Sequence, residues 1–252
     1  MIVAFVPARG NSKSIPRKNL KLLGEKPLIV WSIETAFKAG IEKVVVSTED
    51  PEIKEVALKY GAEVLDRPAN LAGDKTSMLE VLQHEIPRIT PKPDIVVLLQ
   101  PTSPTRSKTH VQMAISLLVN NDKYDSLISV ERVPEKYNPY AMILETSAGK
   151  RMLFRKLFGW KEKLIALFTG KKYVGPQLSG FPISQRMTRR QDLGLVWIPD
   201  GSIYAFRTDN LKSGSIYGRE TLLLETEGRP NLNTEAEWKQ LEEVLKEKNV
   251  KS

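Results

Sequence analysis

Ile95-Val-Val-Leu-Leu-Gln-Pro-Thr-Ser-Pro-Thr-Arg106 begins with an unbroken apolar run and ends in a polar loop. An apolar run of this length without alternation reads as a strand buried on both faces, as in the middle of a parallel sheet. Pro101 and Pro104 forbid a helix directly after it, so the strand ends in a rigid loop. In open α/β sheets, ligands bind at that C-terminal edge.

Outward from this stretch the same grammar repeats. Ile2–Val6 is a first buried strand, followed by the polar loop Ala8–Asn19. Pro27 opens a helix that runs to Ala39, with Gly40 just past its end. Lys43–Ser47 is a second strand. Asp50 caps the next helix, Pro51 takes its first position, and Gly61 follows its end. A short strand, Glu63–Leu65, leads into the loop Asp66–Thr76, and Ser77-Met-Leu-Glu80 is a capping box that starts a helix. Beyond the quoted stretch come a helix over Thr109–Asn120 and a strand over Ser126–Val130. Strands alternating with helices make βαβ units around a mainly parallel sheet, hence a three-layer α/β/α fold. The rhythm breaks over residues 137–190 and resumes with strands at Ser202–Phe206 and Thr221–Leu224. A second capping box, Thr234-Glu-Ala-Glu237, opens a last helix to about Lys248. The expectation is one domain, residues 1–252, carrying a basic insertion.

The chain has 252 residues, a net charge of +8 and no cysteine. Disulfides, thiolate metal sites and a cysteine nucleophile are excluded, and a reducing, cytoplasmic setting fits. Met1–Pro7 is too short for a signal core or a membrane span. Residues 151–190 alone carry +9, which leaves −1 for the remainder. The basicity therefore belongs to one segment, and diffuse nucleic-acid binding by the main body is not expected.

The loop after the first strand, Ala8-Arg-Gly-Asn-Ser-Lys-Ser-Ile-Pro-Arg-Lys-Asn19, crowds Arg9, Lys13, Arg17 and Lys18 together. It meets neither the P-loop nor the G-x-G-x-x-G pattern. Such a loop repels itself unless a polyanion sits in it, and a nucleotide triphosphate is such a partner. The plain alternative is a solvated basic loop.

Several ordered segments then carry a resemblance. Ala8-Arg-x-x-Ser-Lys13, with Lys18-Asn19, resembles the nucleotide-binding loop of the acylneuraminate cytidylyltransferases. Arg67-Pro-Ala-Asn-Leu-Ala-Gly-Asp74, Leu98-Leu-Gln-Pro-Thr-Ser-Pro-Thr-Arg106, Arg190-Gln-Asp-Leu and Pro199-Asp-Gly-Ser-Ile-Tyr204 resemble later motifs of that family, in its order. The resemblance implies transfer of CMP from CTP to a nine-carbon 2-keto sugar acid, with release of pyrophosphate. It assigns Ala8, Arg9, Ser12, Lys13, Lys18 and Asn19 to CTP, with Arg9 and Lys18 at the phosphates. Arg67, Asp74 and Ser77 would shape the base and ribose pocket. Gln100, Thr102 and Ser103 would stand at the junction of nucleotide and sugar, and Arg190 and Tyr204 at the sugar. Arg9, Lys18 and Gln100 would carry the chemistry. Gln100, an amide where Kdo-type enzymes tend to place an acid, favours a sialic-type acid over Kdo.

The family pattern also implies Mg²⁺, held by an Asp-x-Asp-Thr motif. This chain has Asn231-Leu-Asn233-Thr instead, and Asp200 where the family usually carries asparagine. Asparagine offers a carbonyl oxygen but no charge, and Mg²⁺ prefers carboxylates. Metal held mainly by CTP, replacement by Glu225, Glu227 or Asp200, and a nucleotide-binding chain with little turnover all stay open.

Within the insertion, Leu153, Leu157, Trp160, Leu164 and Leu167 recur at helical spacing among basic residues. The family's usual insertion is a dimerisation arm, which implies a homodimer; a basic amphipathic stretch on a membrane is the rival reading. His84 and His110 have no metal-ligand spacing, and Ser-His-Asp catalysis has no supporting motif.

Overall fold

The computed structural model describes residues 1–134, 195–227 and 231–250. The chain divides into two units, Met1–Glu131 with Ile198–Ser252, and Arg132–Trp197. The leucine stripe of the insertion, its role as an arm, and Arg190 lie outside the described residues.

Seven strands form the main sheet: β1 (Ile2–Pro7), β4 (Lys43–Thr48), β5 (Glu63–Asp66), β6 (Ile95–Leu98), β7 (Ser126–Arg132), β8 (Trp197–Arg207) and β9 (Thr221–Glu225). Their order is β5-β4-β1-β6-β8-β7-β9. β1 pairs in parallel with both β4 and β6, and Phe5 stands level with Val45 and Leu98. β8 runs antiparallel to β6, while β7 pairs in parallel with β9, so the sheet is mixed but mainly parallel. A small hairpin, β2 (Leu22–Leu23) with β3 (Lys26–Pro27), closes the loop after β1.

Side-chain alternation along the strands sorts the helices into two layers. Ala4 and Val6 face one side with α1 (Leu28–Lys38), α2 (Pro51–Lys59) and α4 (Lys108–Val119). Val3 and Phe5 face the other with α3 (Met78–Glu85) and a 3-10 turn, Ile86–Arg88. The three-layer expectation therefore holds. The chain leaves β1 toward β4 through α1 and returns to β6 through α3 on the opposite face. Between β1 and β6 the sheet thus has a topological switch point, where a crevice opens at the strand ends. The last helix, α5 (Glu235–Val250), seals the loop after β1: Trp238 and Leu241 pack on Ile15, Leu23 and Leu28.

The local signals act as their chemistry demands. Asp50 accepts from the N–H groups of Glu52 and Ile53 at 3.0 Å each, capping α2 with Pro51 at its start. Ser77 and Glu80 complete a reciprocal capping box on α3. Some boundaries differ from the sequence reading. α1 begins at Leu28 because Pro27 is extended, with ψ 145°, and belongs to the hairpin. α4 starts at Lys108, since the Ser107 hydroxyl caps it. β8 is longer than Ser202–Phe206, because Pro199 and Gly201 disguise its first half as a turn. Among the described residues, no helix is long and apolar enough to cross a membrane.

Candidate active site

A cleft opens at the switch point, walled by the loops that follow β1, β5 and β6. Arg9, Ser12, Lys18, Asn19, Arg67, Asp74, Gln100 and Thr102 line it, with Pro7, Met78 and Val81 in its apolar wall. A larger groove lies by the N-terminal ends of the strands, between Ala39–Lys43 and α4, but its lining is mainly apolar. Charge, not volume, sets the first cleft apart.

The loop after β1 is held open by its own residues. Asn19 is buried and donates its side-chain amide to the Arg9 carbonyl at 2.9 Å. The Gly10 N–H donates to Glu49 Oε1 at 2.7 Å. A Cβ at Gly10 would lie 2.4 Å from Asp50 Oδ2, so only glycine lets this loop approach α2 so closely. Arg17 turns away from the cleft. With φ 53°, it clamps Asp50 and meets Glu52 Oε1 at 2.8 Å. Arg9 and Lys13 instead converge on Asp74, each at 2.8 Å to a different carboxylate oxygen. Lys13 and Arg9 together hold the Asp74 carboxyl below the usual range.

Lys18 is half-buried at the back of the loop and donates to the Leu232 carbonyl at 3.1 Å. Burial pushes its ammonium below the ordinary lysine range, the nearby Arg9 charge adds to this, and Glu237 opposes it. A cation made uncomfortable by burial and a like charge gains most when an anion arrives.

Arg67 lies in the floor. Its guanidinium donates to the Ser47 hydroxyl and carbonyl, both at 2.9 Å, which fastens the end of β4. Burial lowers its pKa, and the Glu49 and Glu85 carboxylates work against that shift. One oxygen of Glu49, Oε2, is buried without a hydrogen-bond partner.

On the far wall, Arg106 shapes the loop after β6. It is buried and donates to the Ser202 carbonyl at 2.9 Å, the Ser32 hydroxyl at 2.7 Å and the Gln100 carbonyl. Burial pushes it down to about 9, with the Asp200 charge opposing, so it stays cationic at neutral pH. The two prolines and this buried fork hold Gln100 and Thr102 at the cleft.

Several residues that the resemblance assigned to the site do not line this cleft. Ala8 is buried in the strand-end wall, and its N–H donates to the Ser47 carbonyl at 3.0 Å. Ser77 is committed to capping α3 and is not part of the cleft lining. Ser103 is buried beneath the rim, and Tyr204 packs with the α3 layer, so neither lines the cleft. Lys13 reaches the cleft only through Asp74. Conversely, Met78, Val81 and Gly73 line it. The two apolar residues were legible only as the buried face of α3.

Of the two positions expected to hold Mg²⁺, Asn231 has its side-chain amide engaged by the protein. The Asn231 amide donates to the Asp200 carbonyl at 2.6 Å, and its oxygen accepts from Ser103. Asn233 is exposed, with its N–H turned to Glu237. Asp200, one proposed substitute, is buried and spends its carboxylate on Ser129, Thr226 and the Ser202 N–H. Among the described residues, no group of three acidic or histidine side chains could hold a metal ion.

What remains is an open cleft lined by Arg9, Lys18, Gln100 and Thr102, with an apolar wall of Pro7, Met78 and Val81. Such a set can bind a polyanion carrying a flat, partly apolar body.

The chain is similar to several known proteins. N-acylneuraminate cytidylyltransferase of Escherichia coli O18:K1:H7 is 40% identical over 132 residues, 52% of this chain and 31% of that protein. The chain thus spans about a third of that relative's length. Post-translational flagellin modification protein B of Campylobacter coli is 28% identical over 100% of this chain and 97% of its own length. Pseudaminic acid cytidylyltransferase of Campylobacter jejuni is 41% identical over 47% of this chain and 53% of its own. The fold is that of a CMP-2-keto-3-deoxy-manno-octonic acid synthetase solved with CTP, with a TM-score of 0.65 at 18% identity over 98% of this chain and 99% of that one. A family model described as Cytidylyltransferase matches residues 3–155, more than half of the chain, which therefore belongs to the cytidylyltransferase family.

Proposed function

We propose that this chain transfers CMP from CTP to a sialic-type nine-carbon 2-keto sugar acid and releases pyrophosphate. The observation that carries the reading is the meeting of Arg9 and Lys18 with Gln100 and Thr102 in one cleft at the switch point. Relatives that act on N-acylneuraminate and on pseudaminic acid support the sugar class.

In this reading the anomeric hydroxyl oxygen attacks the α-phosphorus in line. The bond to the bridging oxygen breaks, pyrophosphate leaves, and the hydroxyl proton passes to a phosphate oxygen. Arg9 and Lys18 offset the charge that builds on the leaving phosphates. Asn19 and the Gly10–Glu49 contact keep the loop shaped to receive them. Gln100, fixed by Arg106, and Thr102, held by the Leu232 N–H, place the acceptor, and positioning supplies much of the rate. The Asn231 amide, engaged by Ser103 and Asp200 and uncharged, fits Mg²⁺ poorly. The proposal also includes Arg190 at the sugar, a homodimer built on residues 137–190 and a cytoplasmic location.

The test is release of pyrophosphate from CTP with a panel of N-acetylneuraminic, legionaminic, pseudaminic and Kdo acids. The expected result is turnover with one nine-carbon acid and loss of about 100-fold or more in Arg9→Ala. CTP binding in calorimetry without turnover on any acid would reduce the chain to a nucleotide-binding protein.

A further inference from the structure

We infer that Asn231 is a positioning residue, which locks the rim of the cleft so that the Leu232 main chain ties Lys18 to Thr102. Its catalytic meaning rests on the proposed cytidylyl transfer, but the lock itself is a matter of geometry.

Both ends of the Asn231 amide are in use. Nδ2 donates to the Asp200 carbonyl at 2.6 Å, and Oδ1 accepts from the Ser103 hydroxyl, whose other acceptor in reach is the Gly201 carbonyl at 3.1 Å. The amide lies against Gly201, where a Cβ would stand 3.0 Å from Nδ2 and 3.4 Å from Oδ1. Gly201 has φ +74°, so a side chain is excluded there twice over, by strain and by contact. Asp200 cannot drift from this seat. Its carboxylate is buried and takes hydrogen bonds from Ser129, from Thr226 at 2.6 Å and from the Ser202 N–H at 2.9 Å.

The next residue uses this anchorage. Leu232 is buried with Ile15, Leu23, Leu28 and Trp238. Its N–H donates to the Thr102 carbonyl at 2.7 Å, and its carbonyl accepts from Lys18 at 3.1 Å. One main-chain unit therefore links the loop after β1 to the loop after β6, the two walls that carry Lys18 and Thr102.

The chemistry requires an amide. An ionised carboxylate at 231 has no donor for the Asp200 carbonyl and would set two oxygens against each other at hydrogen-bond distance. The Asn231 oxygen already accepts from Ser103 and carries no charge, which makes it a poorer ligand for Mg²⁺ than a carboxylate.

The test compares Asn231→Asp, Asn231→Ala and Ser103→Ala with the unaltered chain. Amide hydrogen exchange at Leu232 reads the lock without any ligand. CTP titration and the Mg²⁺ dependence of pyrophosphate release read its consequence. Both Asn231 variants should speed exchange at Leu232 and raise the KM for CTP, each by about tenfold, the size of one or two lost hydrogen bonds. Half-saturating Mg²⁺ should stay within about twofold, since no metal ligand is touched. Ser103→Ala, a milder change in case the others fold poorly, should move exchange and KM in the same direction. The inference is overturned if Asn231→Asp lowers half-saturating Mg²⁺ about tenfold with KM intact, or if exchange at Leu232 is unchanged in all three. Failure of the unaltered chain to bind CTP would sink the functional reading alone, because the exchange measurement still decides the lock.

Discussion

The ammonium group of Lys18 donates to the carbonyl of Leu232 at 3.1 Å, joining residues 214 positions apart. This contact makes the end of the chain part of the cleft formed at its beginning. A lysine on a mobile loop would lose side-chain freedom when it captures phosphate; here part of that ordering cost is met in advance. The same burial makes the ammonium less comfortable, which ties anion binding to pH.

Lys18 therefore carries a pH prediction. Burial first, and the Arg9 charge second, lower its pKa below the ordinary lysine value. A lowered lysine pKa means that the folded chain gives up this proton before the unfolded chain does. Stability then rises with pH across the window between the folded and unfolded values, while phosphate affinity falls as the charge is lost. Calorimetric titration with pyrophosphate should weaken on the alkaline side before an ordinary lysine would titrate. Lys18→Arg, which keeps its charge, should flatten that decline. An alkaline decline that is the same in both proteins would remove Lys18 from the phosphate site.

Gly10 is a packing prediction with a functional readout. A methyl group there would press into the Asp50 carboxylate, with Cβ and Cγ of Asp50 at 3.0 Å as well. Asp50 has little room to yield, because it caps α2 and is clamped by Arg17. Gly10→Ala should cost about 1–3 kcal/mol in chemical denaturation. It should also weaken CTP binding more than Gly73→Ala, where the nearest contact is an ordinary 3.6 Å to Thr76 Oγ1.

Asp74 occupies Arg9, one of the two cations that the proposed reaction assigns to phosphate, together with its neighbour Lys13. Arg9 and Lys13 hold one oxygen each at 2.8 Å, and the side chain is about half exposed. A triphosphate must displace this carboxylate or share the cations with it. Asp74→Asn should therefore tighten pyrophosphate binding by about fivefold at low salt, an effect screened as salt rises. Weaker binding in the variant would show that Asp74 orients the cations and does not compete for them.

Much of this could be read from residues near each other in the chain. The capping pairs Asp50-Pro51 and Ser77–Glu80 set their helices through contacts within four positions, so the sequence carries the whole interaction. The unbroken runs at Ile2 and Ile95 announced buried parallel strands. The hairpin of two-residue strands offers too little periodicity to see. The division of labour among the four loop cations was hidden for another reason: it depends on acids from distant segments. Arg17 belongs to Asp50 and Glu52, while Arg9 and Lys13 share Asp74. Asn231 shows the same limit. Its position suggested a ligand, but its partners Ser103 and Asp200 are brought to it only by the fold.

The Arg17–Asp50 clamp gives an acid-stability prediction. Burial pushes the Asp50 carboxyl up, but the Arg17 guanidinium and the N–H groups of Ile53 and Glu52 outweigh it, and the net shift is downward. A carboxyl with a lowered folded pKa adds stability above its unfolded value and loses it as pH falls through the folded value. Asp50→Asn keeps part of the helix cap but abolishes the charge. It should destabilise the chain at neutral pH by about 1–2 kcal/mol, with the difference from the unaltered protein closing below the ordinary aspartate range. Urea unfolding at a series of pH values measures that convergence. Parallel curves down to the acid limit would mean that Asp50 contributes through its cap alone, and that Arg17 adds nothing to the shape of the loop.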